Sequence, residues 1–465
     1  MLKHATIMAL QKNAEYTKGA ILKVKITSPS AVLVLSFLAV IALGTGLLML
    51  PLSHANHEVA PFLTALFTAT SAVCVTGLVV VDTGTYWSAT GQAIIMGLFQ
   101  LGGFGMMTSA TLMGLLIGGQ IKLRSRLLLQ AETHSLSLGD VRSVARVVLG
   151  VTIVTELLIA IVLTARFALG YGMPWGEAAW QGLFHSVSAF NNAGFSTWSD
   201  SVMRFVTDAW ILVPLMLSIV IGGLGFPVLH ELIIERRKHR PKWSIHAMLT
   251  VWGSLALIVA GSVIIFLAEM DNPKTLASMG FFQKALASLF TSIAARTAGF
   301  NAIDFSALTS ETLALHYVLM FIGGGSAGTA GGVKVTTFFV LMLVVWNEIR
   351  GNPDVDFRGR RISTAAQRQA VTILVLSFAM IALSLLLILS LAPLPLEKVI
   401  FEVISAFATV GLSTGITAEL PPSAQAVIIA LMFIGRVGVV TLAIALATNQ
   451  IKRSFRYPEE KLIVG

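Results

Sequence analysis

The sequence predicts an all-α polytopic membrane protein with eight transmembrane helices and four re-entrant pore helices around a pseudo-fourfold pore. Three observations carry that expectation. Hydrophobic residues make up 55% of the 465 residues and charged residues only 12%, about half the charge of a soluble globular chain. Eight long apolar runs are interleaved with four short ones. A glycine-centred tetrapeptide recurs once per quarter of the chain. The composition excludes disorder and an ordinary cytosolic enzyme. A lone Cys74 excludes an intrachain disulfide and a cysteine-based zinc cluster.

The long runs span approximately Ala31–Leu52, Gly91–Gly119, Val147–Gly170, Ala209–Leu232, Ala247–Ala268, Leu313–Trp346, Val371–Ala392 and Ala424–Ala447. Each reaches the roughly 20 residues that a helix needs to cross the hydrocarbon core. The first is longer than a signal-peptide apolar region and has no small-residue cleavage site after it. Between each odd and even span lies a shorter segment: Pro61–Val73, Ala178–Phe190, Phe281–Ile293 and Ile400–Phe407. Segments of that length read as re-entrant helices.

Charge sets the orientation. Lys3, Lys12, Lys18, Lys23 and Lys25 precede the first span. Lys122, Arg124, Arg126, Arg142 and Arg146 follow the second, and Arg236, Arg237, Lys238, Arg240 and Lys242 the fourth. Arg350, Arg358, Arg360, Arg361 and Arg368 follow the sixth, with Lys452, Arg453, Arg456 and Lys461 in the tail. These 24 of the 32 Lys and Arg residues fall on one side, the cytoplasmic side by the positive-inside rule. Both termini are then cytoplasmic and the short helices enter from outside. The net charge of +9 needs no nucleic acid to explain it.

Directly after the short helices the chain reads Val75-Thr76-Gly77, Asn192-Ala193-Gly194, Thr297-Ala298-Gly299 and Thr409-Val410-Gly411. The glycines lie 117, 105 and 112 residues apart, a subunit-sized repeat rather than a solenoid period. The expected organisation is a cytoplasmic segment 1–28, repeats over 29–122, 143–235, 245–348 and 369–450, and a cytoplasmic tail 451–465. Four such loops around an axis can turn carbonyl oxygens inward and replace a cation's hydration shell. The carbonyl ends of the short helices favour positive charge at the same place.

The second member of a further fourfold pair lies 25 to 29 residues after each of these glycines. Gly102-Gly103, Gly222-Gly223 and Gly323-Gly324 align with Gly435-Arg436. In the third repeat the pair opens the run Gly323, Gly324, Gly325, Ser326, Ala327, Gly328, Thr329, Ala330, Gly331, Gly332, Val333 and Lys334. Six glycines in ten residues cannot hold a helix at about 1 kcal/mol each relative to alanine. A broken span with an intramembrane gate, 323–334, is expected. The order of a phosphate-binding loop is absent. Arg436 puts a charge at mid-membrane, where it belongs in a bundle interior or water-filled cavity. It acts there as a barrier to cations, as a structural partner of helix-end carbonyls, or as both.

Arg296, beside the third glycine segment, is a candidate anchor. Asp82, Asp200 and Asp304 either concentrate cations at the outer side or serve as turn acids. His185 reads as a packing residue, and Trp87 and Trp210 as members of an interfacial belt. Glu156, His230, Glu231 and Glu269 are too scattered for an intramembrane enzyme.

On these residues the sequence resembles the Trk/Ktr/HKT superfamily of potassium transporters, whose members carry four M1–P–M2 units in one chain. With no spans before the first unit, it looks like the Ktr-type membrane subunit. The resemblance implies that Gly77, Gly194, Gly299 and Gly411 bind potassium as the filter glycines. It implies that 323–334 is the gating loop and Arg436 the pore barrier. Glycine rather than serine at Gly77 favours potassium over sodium, and the alternative is a sodium or nonselective monovalent cation channel. The family pattern also implies a homodimer in the cytoplasmic membrane. It implies a cytosolic ring of regulatory subunits with Rossmann-type domains, on which ATP, ADP or NAD would act.

Overall fold

The computed structural model describes residues 29–105, 141–235 and 243–446. The basic N-terminal segment, Lys122–Arg126, Arg236–Lys242 and the C-terminal tail lie outside these residues, as do the side chains of Arg142 and Arg146. The described residues are mostly helical, with almost no strand.

One order of elements recurs four times. A long helix is followed by a short one, a loop, and a helix that ends or breaks at glycine. The first set is α1 (Pro29–Leu48), α2 (Phe62–Val73), the single turn α3 (Thr83–Tyr86) and α4 (Ala89–Phe104). The second is α5 (Val141–Tyr171), α6 (Trp175–Phe190), α7 (Ala209–Gly223) and α8 (Phe226–Glu235). The third is α9 (Ile245–Glu269), α10 (Phe281–Ala294), α11 (Ser310–Phe321) and α12 (Val335–Ile349). A two-residue hairpin, β1 (Asp356–Phe357) with β2 (Arg360–Arg361), leads to the fourth: α13 (Thr364–Leu391), α14 (Leu396–Phe407), α15 (Pro422–Val437) and α16 (Val439–Leu446).

Local chemistry explains the helix starts. Ser88, Asp208, Ser244, Thr309 and Ser363 each accept a hydrogen bond from a first-turn backbone N–H of α4, α7, α9, α11 and α13. Those caps satisfy donors with no partner inside the helix. The short helices α2, α6 and α14 begin immediately after Pro61, Pro174 and Pro395, and α10 after Gly280. At 12 residues, α2 and α14 extend about 18 Å, too short to cross the bilayer.

α1, α5, α9 and α13 each contain a window long and apolar enough to cross a membrane, with between 17% and 33% of that window buried in protein. Their remaining surface suits lipid. The fourth and eighth spans are not single straight helices: the glycine pair of the fourth allows close packing or a bend, and a bend is what the structure shows, whereas no break is expected in the eighth. α4 stops at Phe104, and the rest of the expected second span lies outside the described residues. α7 and α8 meet at a 98° bend, and α15 and α16 are separate helices. The cause is shared: Gly105, Gly225 and Gly438 hold φ of 75°, 91° and 90°, a hand that ends a right-handed helix. The expected break in Leu313–Trp346 is present, between α11 and α12.

Packing closes the four sets into a ring. One apolar cluster joins Phe67 and Phe99 of the first set to Phe184 and Phe195 of the second and to Phe407 and Ile428 of the fourth. A second joins Phe205 and Leu215 to Phe290 and Phe300, and a third joins Phe305 to Phe401. Trp87, expected in an interfacial belt, is buried, because its backbone bridges to His54 and its ring joins the apolar cluster of the first set. Trp210 is exposed as the belt requires.

Candidate ion-conduction site

The short helices deliver their chain ends to one place. Cys74, Asn191 and Ala408 follow α2, α6 and α14 directly and Arg296 follows α10 after Ala295, and next comes a residue with positive φ: Val75 at 57°, Asn192 at 56°, Thr297 at 71° and Thr409 at 49°. Two residues on, Gly77, Gly194, Gly299 and Gly411 have φ of 89°, 70°, 75° and 93°. Left-handed backbone at β-branched Val75, Thr297 and Thr409 is costly and persists only where the surroundings enforce it.

The glycines form a closed ring. A Cβ on Gly77 would lie 2.5 Å from the Ala193 carbonyl oxygen and 2.9 Å from the Gly194 Cα. One on Gly194 would meet the Gly299 Cα at 2.9 Å and the Ala298 oxygen at 3.1 Å, and one on Gly299 the Val410 oxygen at 2.5 Å. One on Gly411 would overlap the Thr76 oxygen, which returns to the first repeat. The residue between the two left-handed positions thus sets its carbonyl against the preceding repeat's glycine, four times. Only glycine leaves room for this approach.

Serines brace the ring. Gly77 N donates to Ser71 Oγ at 3.1 Å and Gly411 N to Ser405 Oγ at 3.2 Å. Thr76, Ala193 and Val410 N–H groups each donate to the carbonyl of Ser71, Ser188 or Ser405 at 2.8 Å. In the second repeat Ser188 Oγ donates to Phe195 O instead, and Ile293 takes the third position. These serines were readable as a constant offset of six residues before the glycines but were missed.

The loop 323–334 lies across one mouth of this ring. Its ends are tied where Gly323 N donates to Val333 O at 2.8 Å and Val335 N to Gly324 O at 3.0 Å. Gly331 and Gly332 abut Thr409 and Ala408, and Gly323 packs near Thr297. With the Asn192 amide turned to donate to Ile219 O and Ala189 O, its oxygen accepts from Thr329 Oγ1 at 3.2 Å. The loop therefore touches the first residue of three of the four glycine segments. Gly325 N donates to Gly223 O at 2.8 Å and Phe226 N to Ala327 O at 3.1 Å, docking the loop on the bend between α7 and α8. Ser326 and Thr336 hydroxyls are 2.9 Å apart, and Lys334 Nζ donates to Ala330 O at 2.6 Å.

Arg436 reaches across from α15. Its guanidinium donates to Thr329 O of the loop and, at 2.5 Å, to Gly102 O at the end of α4. Arg296 donates to Ser254 O and Oγ at 3.2 and 3.1 Å and to Gly323 O at 3.0 Å. It anchors the loop's base to α9.

Over residues 1–456 the sequence matches the family model TrkH, described as cation transport protein. The chain belongs to this family. It is 37% identical over 438 residues to Ktr system potassium uptake protein B of Bacillus subtilis, covering 94% of this chain and 97% of that one. The Vibrio alginolyticus protein of the same name is 36% identical, covering 93% and 94%. Potassium/sodium uptake protein NtpJ of Enterococcus hirae is 34% identical, covering 94% and 97%. The crystal structure of the potassium transporter TrkH from Vibrio parahaemolyticus superposes with a TM-score of 0.72 at 17% identity, covering 92% of this chain and 86% of that one. The chain is a Ktr-type membrane subunit of the Trk/Ktr superfamily, a cation transporter and not an enzyme.

Outside the ring, Asp82, Asp304, Asp200 and His185 of this TrkH-family chain have local partners. Asp82 and Asp304 accept from the N–H groups of Thr85 and Ser306, both at 2.8 Å, and Asp200 pairs with Arg204 at 2.7 Å. His185 is buried, stacked on Trp198 at 4.1 Å between ring centres, with Nε2 3.0 Å from Ser196 Oγ.

Proposed function

We propose that this chain carries potassium into the cell through the ring of glycine segments, as the ion-translocating subunit of a two-component uptake system. The observation that carries the reading is the closed ring, in which Gly77, Gly194, Gly299 and Gly411 each abut the next repeat's backbone. A partly dehydrated cation needs several oxygens at once. The carbonyls of Thr76, Ala193, Ala298 and Val410 stand in the ring, one per repeat, beside the C-terminal ends of the short helices. The hydroxyls of Thr76, Thr297 and Thr409 are buried without a hydrogen-bond partner among the described residues and offer further oxygens beside the segments. Val75 and Asn192 complete the four segments.

The loop 323–334 obstructs the inner mouth, and Arg436 holds it while placing positive charge in the path. An ion passes when the loop moves away and the guanidinium loses the Thr329 carbonyl, keeping its bond to the Gly102 carbonyl. Inward movement of one charge through 100 mV releases about 2.3 kcal/mol, enough to accumulate potassium without nucleotide hydrolysis by this chain. The eight-span count, the cytoplasmic termini, a homodimer and a cytosolic nucleotide-binding ring belong to the same proposal, supported by the basic loops and by relatives named for Ktr systems.

A second reading is uptake of both potassium and sodium, favoured by the 34% identity to a protein named for both ions. Rubidium uptake into proteoliposomes holding the purified chain, with an imposed potential, separates them. Block by potassium but little by equimolar sodium supports the first reading. Equal block supports the second, and uptake insensitive to both refutes a filter in the ring.

A further inference from the structure

We propose that Glu156, in the middle of α5, is a positioning residue that sets the ion preference of the second glycine segment through Asn191. This inference rests on the reading of the ring as a potassium filter.

Glu156 lies on the inward face of its helix. It is 9% exposed, while its neighbours Val154 and Leu157 are 66% and 53% exposed. The rest of that face is Thr152, Ile159 and Leu163, all buried, so an apolar side chain would suffice for packing. A carboxylate at this depth is expensive unless polar groups meet it. Two do. Asn191 Nδ2 donates to its Oε1 at 3.3 Å, and Gln100 Nε2 donates to its Oε2 at 3.4 Å. Asn191 Nδ2 also donates to Gln100 Oε1 at 2.5 Å and to Val187 O at 2.8 Å. Three elements, α4, α5 and the end of α6, are joined in one network.

The network meets the second glycine segment directly. Asn191 immediately precedes Asn192, whose φ of 56° begins the segment. The side of Asn191 facing α4 is filled by Gly103, where any Cβ would overlap its amide. The equivalent positions in the other repeats are Cys74, Arg296 and Ala408. Repeats one and four hold their glycine N–H on a serine hydroxyl, Ser71 or Ser405. In repeat two Ser188 bonds Phe195 O instead, so Gly194 lacks that brace. The polar network behind Asn191 supplies a substitute from outside the segment, as Arg296 does in repeat three. Losing it lets Asn192–Gly194 relax, and the Ala193 carbonyl that faces Gly77 relaxes with it.

The test reads ion binding rather than flux, so the position of the loop does not matter. The melting temperature of the purified full-length chain in detergent is followed against potassium and against sodium, because a bound ion stabilises the folded state with its concentration. In the native chain potassium half-saturates at a lower concentration than sodium. Glu156→Leu should lower the ratio of the two half-saturating concentrations about tenfold, which is about 1.4 kcal/mol. Glu156→Gln, which keeps an acceptor toward Asn191, should stay within about twofold of native. A merely structural glutamate would lower the melting temperature in both salts with the ratio unchanged, and that result overturns the proposal. If Glu156→Leu is not recovered folded, Gln100→Met removes the same network from α4 and must lower the ratio. An unchanged ratio there overturns the proposal equally. No potassium preference in the native chain would instead refute the filter reading, and this inference with it.

Discussion

Gly77→Ser tests the ring where one repeat meets the next. The native φ of 89° at Gly77 is a conformation that costs a non-glycine residue about 1–3 kcal/mol. The new Cβ would also stand 2.5 Å from the Ala193 oxygen and 2.9 Å from the Gly194 Cα. Restoring a tolerable approach moves the second segment by about 0.5 Å, and interiors at native packing density do not absorb that locally. The displaced atom is one of the four carbonyls proposed to surround the ion, so the damage falls on selectivity before it falls on folding. We expect rubidium uptake in proteoliposomes to become sensitive to sodium, with discrimination reduced about tenfold, equivalent to about 1.4 kcal/mol. The variant should keep native helicity and a monodisperse elution profile. A folded variant with unchanged competition by sodium would show that the glycine ring does not discriminate ions.

Three further outcomes follow from the same geometry. Deleting residues 325–332 should raise rubidium flux several-fold with little change in sodium competition, because Gly323 stays to hold Arg296; lower flux in a folded deletion would sink the gate assignment. Arg436→Ala removes the charge and the tether to Thr329, so initial uptake rates at a fixed potential should rise; an unchanged rate would leave the arginine a structural role alone. Gly225→Ala forces a side chain into φ of 91° against the Ser326 carbonyl at the 98° bend. It should cost about 1–3 kcal/mol, read as a lower melting temperature in detergent, and an unchanged melt would mean the bend is not enforced there.

What the sequence made legible is what repeats in composition or spacing. The helices α1, α5, α9 and α13 were visible because lipid demands long apolar stretches, and the glycine segments because four equal approaches require the same residue four times. The broken run after Gly323 was visible because six glycines defeat a helix wherever they occur. The breaks at Gly225 and Gly438 were harder to place, because each glycine sits inside an apolar run. Hydropathy does not register the sign of φ. Their common offset of three from Gly222 and Gly435 was the available signal. Glu156 was legible only as an isolated acid, since its partners Gln100 and Asn191 are 56 and 35 residues away in sequence. Trp87 was misplaced for the related reason that a tryptophan near a span end is either belt or core, and only the loop bridging to His54 decides.

The departures from fourfold repetition have a physical logic of their own. In the proposed filter an ion on the axis sees four segments at once, so the backbone that surrounds it must be nearly equivalent in every repeat. Gly77, Gly194, Gly299 and Gly411 accordingly agree in residue and in hand. Obstruction of the path has no such requirement. A single loop that touches three of the four segments suffices for it. The third repeat alone therefore carries 323–334, and the fourth alone exchanges a glycine for Arg436, which meets that loop at Thr329. The second repeat completes the arrangement with Asn192, whose amide oxygen takes the Thr329 hydroxyl. Thr329 is thus held by its hydroxyl to a glycine segment and by its carbonyl to the arginine. On the proposed gating, movement of the loop breaks both bonds together, so the second segment and Arg436 each lose a contact in the same step.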